Sequence, residues 1–301
     1  MRADARTWLL AARPATLPAA VGPVLVGIGA SLGAAVTLRW DTALACLAVS
    51  LLLQVAANFA NDLSDFRRGA DTAERQGPTR AAAAGLLRPR QLEAAIALML
   101  LLAGLVGMYL VSVGGVVLLF VGAAAMVAAL AYTGGPMPYG YRGLGEAFVF
   151  LFFGLVAVVG TAYLQALRVE WRFVLAAVPV GALVTAILVV NNLRDIPTDT
   201  VAHKHTLAVT FGEGFAKAEY AALLLVAALT PPLMVLLGQA GIAALLPLLA
   251  APLAWPLLRE VRAVGEGSDR RRLNPVLKGT ARLSLVCCVL FATGLAVAGM
   301  P

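Results

Sequence analysis

The scarcity of charge is the first informative feature of this sequence. Only 13% of its 301 residues are charged, and 61% are hydrophobic. A helix that crosses a bilayer needs about 20 apolar residues, and a soluble protein cannot bury so much apolar surface. The sequence therefore excludes a soluble globular protein and predicts an all-α, polytopic membrane protein. The stretches that carry no charged residue are 15–38, 42–61, 94–134, 147–167, 173–193, 220–258 and 283–301.

Two of the uncharged stretches, 94–134 and 220–258, are long enough for two helices each. Glycine-containing turn signals lie near their middles, at 112–115 and 238–241. The sequence therefore predicts about nine membrane-spanning helices within one integral-membrane domain, residues 1–301. The predicted spans are 15–36, 42–62, 93–112, 115–134, 146–166, 173–193, 217–237, 241–258 and 281–299.

Cysteine and histidine are also scarce. Cys46, Cys287 and Cys288 lie in apolar spans without the spacing of metal ligands, and this favours small core side chains. His203 and His205 lie two residues apart in a predicted loop, with no third ligand of that kind nearby. We interpret them as solvated polar residues.

The net charge of +7 is distributed unevenly along the chain. If the N-terminus lies in the cytoplasm, 20 of the 23 Lys and Arg residues fall in cytoplasmic segments, and only Arg39, Arg168 and Arg172 fall outside. This is the positive-inside pattern. It predicts a cytoplasmic N-terminus and, after nine spans, an external C-terminus. It also accounts for the basic charge without a nucleic-acid partner.

Acidic residues are concentrated in two stretches, and each follows an apolar run. On a helix, Asn58, Asp62 and Asp65 are spaced i, i+4 and i+7, so they share one face. Asn191, Asp195 and Asp199 are spaced i, i+4 and i+8. The second and sixth spans run in the same direction, so both stretches are predicted to end at the cytoplasmic face.

Five carboxylates at one membrane edge are suited to Mg²⁺, which prefers carboxylate and phosphate oxygens. Nearby basic side chains can neutralise the remaining phosphate charge. The alternative interpretation, that the acidic residues are simply helix ends exposed to the cytosol, explains their placement poorly, because carboxylates at a helix C-terminus oppose the helix dipole. The carboxylates are Asp62, Asp65, Asp71, Asp195 and Asp199, and the basic residues are Arg75, Arg80, Arg194 and Lys204.

This pattern predicts a specific kind of substrate. A diphosphate at the membrane interface with an apolar tail in the bilayer is a polyprenyl diphosphate. Metal neutralisation turns the diphosphate into a leaving group. The acceptor then has to be a nucleophile held in an apolar cavity that excludes water.

The two Asp stretches resemble the Asp-rich motifs of UbiA-type intramembrane aromatic prenyltransferases. The matching residues are Asn61-Asp62-x-x-Asp65-x-x-x-Gly69-x-Asp71 and Asn191-x-x-x-Asp195-x-x-x-Asp199. Further segments resemble the branch of that family that acts on 1,4-dihydroxy-2-naphthoate in menaquinone biosynthesis. These segments are 13–18, 75–80, 141–146 and 191–195 followed by 206–209.

The resemblance implies helices around a central cavity, in a multi-pass protein of the bacterial cytoplasmic membrane. It implies Mg²⁺-dependent transfer of a polyprenyl group to 1,4-dihydroxy-2-naphthoate, with loss of CO₂ and formation of demethylmenaquinone. Asp62, Asp65, Asp195 and Asp199 are the predicted catalytic residues. The predicted metal ligands are these four with Asn61, Asp71 and Asn191. The residues predicted to bind substrate are Asn61, Asp71, Arg75, Arg80, Tyr139, Tyr141, Arg142, Asn191 and Lys204.

Two alternatives remain open from the sequence. Another aromatic acceptor, homogentisate or 4-hydroxybenzoate, would require the same Asp stretches and a different cavity. An ion-coupled secondary transporter also uses paired intramembrane acids, but its site usually lies near the bilayer midplane. One departure from the family pattern concerns phosphate binding. His205 stands where an arginine is usual, so Lys204 is the better candidate.

Overall fold

The computed structural model describes residues 4–69, 76–77, 80–265 and 267–297. The described part of the chain is helical and contains no strand. The order of its helices is α1 Ala5–Ala12, α2 Pro18–Leu32, α3 Trp40–Arg67, α4 Pro89–Gly114, α5 Val117–Ala131, α6 Gly145–Ala166, α7 Trp171–Val201, α8 Leu207–Leu236, α9 Ile242–Ala263 and α10 Arg270–Val297.

Each predicted span coincides for most of its length with one of these helices. Among the described residues, seven helices are long and apolar enough to cross a membrane, and α1 with α2 forms an eighth candidate that is bent by 50°. Helix α5 is shorter, with 15 residues. The all-α, multi-span membrane architecture is therefore confirmed, and nine is an approximate count.

Helix α7 forms the centre of the bundle. Its most hydrophobic window is 72% buried, compared with 11% for α4. Small residues of α7, among them Ala176, Ala177 and Ala186, have no exposed surface. Small side chains allow helices to approach closely in a membrane, where van der Waals contact contributes much of the packing energy. Helix α7 therefore serves as the central packing surface of the fold.

Helices α2 and α10 are in equally close contact. A Cβ atom at Gly29 would lie 2.3 Å from the carbonyl oxygen of Ala292, and one at Gly33 would lie 2.5 Å from that of Leu295. Glycine is therefore required at both positions. The outer helices instead expose large apolar side chains, such as Leu105 on α4 and Phe120 on α5. These are the surfaces that lipid would cover.

Candidate active site

A cavity of about 640 Å³ lies inside the bundle. Most of its wall is apolar and comes from α3, α5, α6 and α7. One end is polar, and there the structure brings together the ends of α3 and α7. The polar lining includes Asp65, Asp195, Asp199, Arg80 and Lys204. Residues from both Asp stretches therefore meet at one end of the cavity.

Asp65 lies near the end of α3 and is bound on both sides. Its Oδ2 accepts a hydrogen bond from Arg80 Nη2 at 2.8 Å, and its Oδ1 accepts one from the Tyr141 hydroxyl at 3.1 Å. The Asp65 residue is 7% exposed. Charge-assisted hydrogen bonds to arginine are among the stronger ones in proteins. They hold this carboxylate at the cavity wall.

Asp195 is held by its neighbour in sequence. Arg194 Nε and Nη2 donate to Asp195 Oδ1 and Oδ2 at 2.8 and 2.7 Å, a two-pronged contact that lysine cannot reproduce. The Arg194 guanidinium also donates to Asn191 at 2.7 Å and to Asn274 of α10 at 2.9 Å. Arg194 is only 2% exposed, so this network fixes the end of α7 to α10.

Asp199 pairs with Lys204 from the turn after α7, with Lys204 Nζ 3.3 Å from Asp199 Oδ2. Burial lowers the pKa of Lys204, but the carboxylates of Asp199, Asp65 and Asp195 outweigh burial and raise this pKa above its ordinary value. The ammonium group also lies 5.7 Å from the centre of the Tyr141 ring. Three carboxylates from two helices therefore keep Lys204 charged.

Asp62 has a different environment from Asp65. It is 1% exposed and is absent from the cavity wall. Its oxygens accept hydrogen bonds from the backbone N–H groups of Ala81 and Ala82 at 3.0 and 3.2 Å. Asp62 therefore anchors the segment that carries Arg80. Its neighbour Asn61 does line the cavity.

The other predicted site residues are divided between the cavity and its surroundings. Asn191, Tyr139 and Tyr141 line the cavity. Tyr139 donates to the carbonyl oxygen of Ala128 and stacks on Phe148, with ring centroids 4.1 Å apart. Arg142 is exposed and does not line the cavity, and Asp71 and Arg75 fall outside the described residues.

Several polar cavity residues were not predicted from the sequence, and among them are Tyr132, Asn274 and Lys278. Tyr132 follows α5 and packs edge-on against Tyr139, with centroids 5.4 Å apart. Within the described residues its hydroxyl has no hydrogen-bond partner. Its position next to an apolar span was the only sequence signal, and this also fits an interfacial aromatic residue. Asn274 and Lys278 lie on α10, far from the Asp motifs in sequence.

The donor set suits a magnesium ion, although the carboxylates are now paired with cations. Among the described residues no three Asp, Glu, His or Cys side chains form a cluster that could hold a metal. However, Asp199 Oδ2 is buried and, in the part of the chain that the structure describes, accepts no hydrogen bond of good geometry. Carboxylate and amide oxygens are the ligands that Mg²⁺ takes together with phosphate oxygens. The residues present therefore fit a metal that arrives with a diphosphate.

Comparison with known proteins agrees with this geometry. The model of the UbiA prenyltransferase family matches residues 20–286. The chain is 45% identical to the 1,4-dihydroxy-2-naphthoate octaprenyltransferase of Mycobacterium tuberculosis, over 96% of both chains. It is 43% identical to that of Mycobacterium leprae, over 97% of both. A solved UbiA homolog from Archaeoglobus fulgidus, bound to DMAPP and Mg²⁺, has a TM-score of 0.64 at 15% identity, covering 95% of this chain and 99% of that one.

Proposed function

Because this chain belongs to the UbiA prenyltransferase family, we propose that it transfers a polyprenyl group from polyprenyl diphosphate to 1,4-dihydroxy-2-naphthoate. The observation that carries the proposal is the polar end of the cavity, where three described carboxylates, Asp65, Asp195 and Asp199, each pair with a cation above an apolar chamber. Two relatives above 40% identity bear the name of a transferase that uses this acceptor. Ion pairs above an apolar chamber suit a substrate that has a charged diphosphate head and an apolar tail.

The first role of the site residues is to bind the diphosphate. Arg80, Arg194 and Lys204 each pair with a carboxylate in the structure. In our proposal Arg80 and Lys204 donate hydrogen bonds to phosphate oxygens when the substrate enters. Arg194 is more deeply buried, and it keeps Asp195 and Asn191 in place. The site thereby exchanges internal ion pairs for pairs with the substrate and leaves few buried charges uncompensated.

We propose that Mg²⁺ is the cofactor. Asp65, Asp195 and Asp199 would hold it at the cavity wall, with Asn61 and Asn191 as neutral oxygen ligands. Asp62 and Asp71 remain predicted ligands. Asp62 could bind the metal only after its hydrogen bonds to the backbone of Ala81 and Ala82 are released. When bound, the metal stabilises negative charge on the departing diphosphate. These residues supply the oxygen ligands, and Arg80 and Lys204 limit the charge repulsion among them.

The apolar chamber positions the acceptor and excludes water. The allylic C–O bond breaks, the diphosphate leaves with the electron pair, and the ring forms a new carbon–carbon bond to the allylic carbon. The ring carboxylate is lost as CO₂, and because both ring hydroxyl groups remain, the product is the hydroquinone form of demethylmenaquinone. We assign the hydroxyl of Tyr132, which has no hydrogen-bond partner among the described residues, to a hydrogen bond with a polar substituent of the ring. The aromatic wall from Tyr139 to Phe148 supplies a face on which the ring can stack.

We further propose that the protein lies in a bacterial cytoplasmic membrane with its N-terminus inside and its C-terminus outside. The positive-inside distribution of Lys and Arg supports this orientation. Both Asp motifs then face the cytoplasm, where a diphosphate substrate is available. Reporter fusions at Pro301 and within the 63–91 segment are expected on opposite sides of the membrane. A result with both on one side would contradict the orientation.

An acceptor panel tests the proposed activity. Membranes that contain the protein are given polyprenyl diphosphate, Mg²⁺ and one acceptor at a time: 1,4-dihydroxy-2-naphthoate, homogentisate or 4-hydroxybenzoate. We expect a prenylated, decarboxylated product with the naphthoate alone. Membranes with Asp65→Asn serve as the matched control. Product formation with another acceptor and none with the naphthoate would overturn the assignment.

A further inference from the structure

We infer that one wall of the cavity, helix α6, sets the length of the prenyl tail that the protein accepts, and that Gly160 is the deciding position. The inference rests on the proposed prenyl transfer and deepens it by assigning specificity to particular residues. It comes from the spacing of the residues of α6 that line the cavity. That spacing differs from those of the neighbouring helices.

On two neighbouring helices, the residues that line the cavity recur every seven positions, which corresponds to two turns of an α-helix. On the wall of α5 the equivalent positions are Leu118, Ala125 and Tyr132, and on α7 they are Val184, Asn191 and Thr198. On helix α6, the residues that line the cavity instead recur every eight positions. Its lining positions are Phe148, Val149, Phe152, Phe153, Val156, Ala157, Gly160, Thr161 and Leu164.

An ordinary α-helix could not place all these residues on one side. At about 100° per residue, an eight-residue repeat drifts by roughly 80° every two turns, so Leu164 would face nearly away from Phe148. The structure resolves this conflict with a π-helical segment at Phe150–Val156. Such a segment holds about one residue more per turn, which offsets most of the drift. Helix α6 therefore presents a straight apolar stripe along the cavity.

The π-helical segment is fitted closely to the central helix. A Cβ atom at Gly154 would lie 2.8 Å from the Cα atom of Gly181 on α7. A Cβ atom at Gly181 would in turn lie 2.9 Å from the ring of Phe150. Segments of this type are frequent at functional sites. Here the segment aligns the two halves of the wall.

Gly160 lies in the far half of this stripe. It is 12 residues beyond Phe148, or about 18 Å along the helix. A Cβ atom there would meet nothing within 4 Å, and the residue lines the cavity. Each isoprene unit adds four carbon–carbon bonds, or about 5 Å when extended. A two-unit tail of about 10 Å that starts beside Phe148 would stop short of Gly160, whereas a four-unit tail of about 20 Å would reach it.

Gly160→Leu tests this inference with purified protein, Mg²⁺, 1,4-dihydroxy-2-naphthoate and either geranyl or geranylgeranyl diphosphate. We expect kcat/KM to fall at least tenfold for the four-unit substrate and less than threefold for the two-unit substrate. Gly160→Ala, which changes the fold least, should show the same selectivity in weaker form. Gly214→Leu, on an exposed part of α8 away from the cavity, is the matched control, and it should leave both substrates unchanged.

Deletion of Leu151, which is exposed and lies inside the π-helical segment, tests the register independently. It should restore α-helical spacing and leave Gly160 on the cavity side, because 11 residues at about 100° each complete roughly three turns from Phe148. Gly160→Leu should therefore still reduce transfer of the longer tail more in this background. Equal losses for both tails, or no loss for either, in the two Gly160 variants would overturn the inference while the wild type remains active. A wild type that transfers neither tail would overturn the proposed function itself.

Discussion

The two Asp motifs have similar composition but are stabilised differently. In the first, Asp62 and Asp65 contact a segment 15 to 20 residues further along the chain, through Arg80, Ala81 and Ala82. In the second, Asp195 and Asp199 pair with Arg194 and Lys204, which lie one and five residues away. The first motif therefore depends on a loop, and the second is largely organised by its own helix and the turn that follows.

This difference has a functional consequence. A cation supplied by a loop can move with that loop, whereas Arg194 is fixed at the end of α7 by four side-chain hydrogen bonds. We therefore assign Arg80 a direct role toward substrate and Arg194 a positioning role. Variants of the two motifs should separate these roles, and they follow in order of expected effect.

The largest effect is expected from removing one carboxylate of each motif. Asp65→Asn and Asp195→Asn should each lower kcat/KM by about 10²-fold or more, by analogy with the loss of a single electrostatic stabiliser. Groups that act as a unit are not additive, so the double variant should be little worse than the worse single variant. The measurement is a double-mutant cycle on prenyl transfer. Losses that multiply would indicate two independent sites.

Loss of the fixed arginine should affect the fold as well as activity. Arg194→Met leaves Asp195 buried without its partner, and breaking a buried ion pair typically costs about 3–5 kcal/mol. We expect a clearly lower midpoint of thermal unfolding in detergent. Lys204→Met, which disrupts a longer and single contact, should lower the midpoint less. If the two variants were equally stable, the claim that Arg194 is the more firmly held cation of the second motif would be wrong.

Lys204 should act mainly on one substrate. Lys204→Ala is expected to raise KM for the prenyl diphosphate about tenfold and to leave KM for the naphthoate within twofold, because the lost charge faced the diphosphate. Lys204→Arg should recover part of the loss, since the charge persists while its geometry changes. Steady-state kinetics with each substrate varied in turn make the comparison. An unchanged KM in the alanine variant would leave Lys204 as a charge that fixes topology.

The pH dependence of this lysine follows from its raised pKa. A cation whose folded-state pKa is raised is fully charged at every pH below its ordinary pKa. It loses the charge only as the pH rises through the folded-state pKa. From pH 7 to about pH 9 the KM for prenyl diphosphate should therefore show no titration of Lys204. Asp199→Asn removes the carboxylate that raises this pKa most. In that variant, the KM for prenyl diphosphate should begin to rise with increasing pH at a lower pH than in the wild type.

The smallest effect is expected at the tyrosine that lies between the motifs. Tyr132→Phe keeps the ring packed against Tyr139 and removes only the hydroxyl. We expect KM for the naphthoate to rise about fivefold, the equivalent of one neutral hydrogen bond, with no change for the prenyl diphosphate. Tyr163→Phe is the matched control, because its hydroxyl donates to Gly114 and lies outside the cavity lining. Equal shifts in both variants would contradict the assignment.

The sequence allowed the membrane fold to be predicted well, because uncharged apolar runs of this length are typical of membrane-spanning helices. The common direction of the second and sixth predicted spans, together with the helical spacing within each Asp stretch, also predicted that Asp65 lies at the same end of the bundle as Asp195 and Asp199. The same spacing could not separate Asp65 from Asp62, because both lie at the same end of α3 and a one-dimensional pattern does not show which of them the loop contacts. Tyr132 and Asn274 come from elements that approach the motifs only in the folded bundle. The π-helical segment was missed because periodicity arguments assume regular helices.

The most direct test of the central claim is release of diphosphate by the purified protein. With polyprenyl diphosphate, 1,4-dihydroxy-2-naphthoate and Mg²⁺, we predict one diphosphate, one CO₂ and one demethylmenaquinone in its hydroquinone form per turnover, and no release after a chelator removes the metal. Asp65→Asn protein should behave like the chelated sample. Diphosphate release that persists without metal, or that proceeds without prenylation of the naphthoate, would contradict the claim that the paired Asp motifs catalyse prenyl transfer.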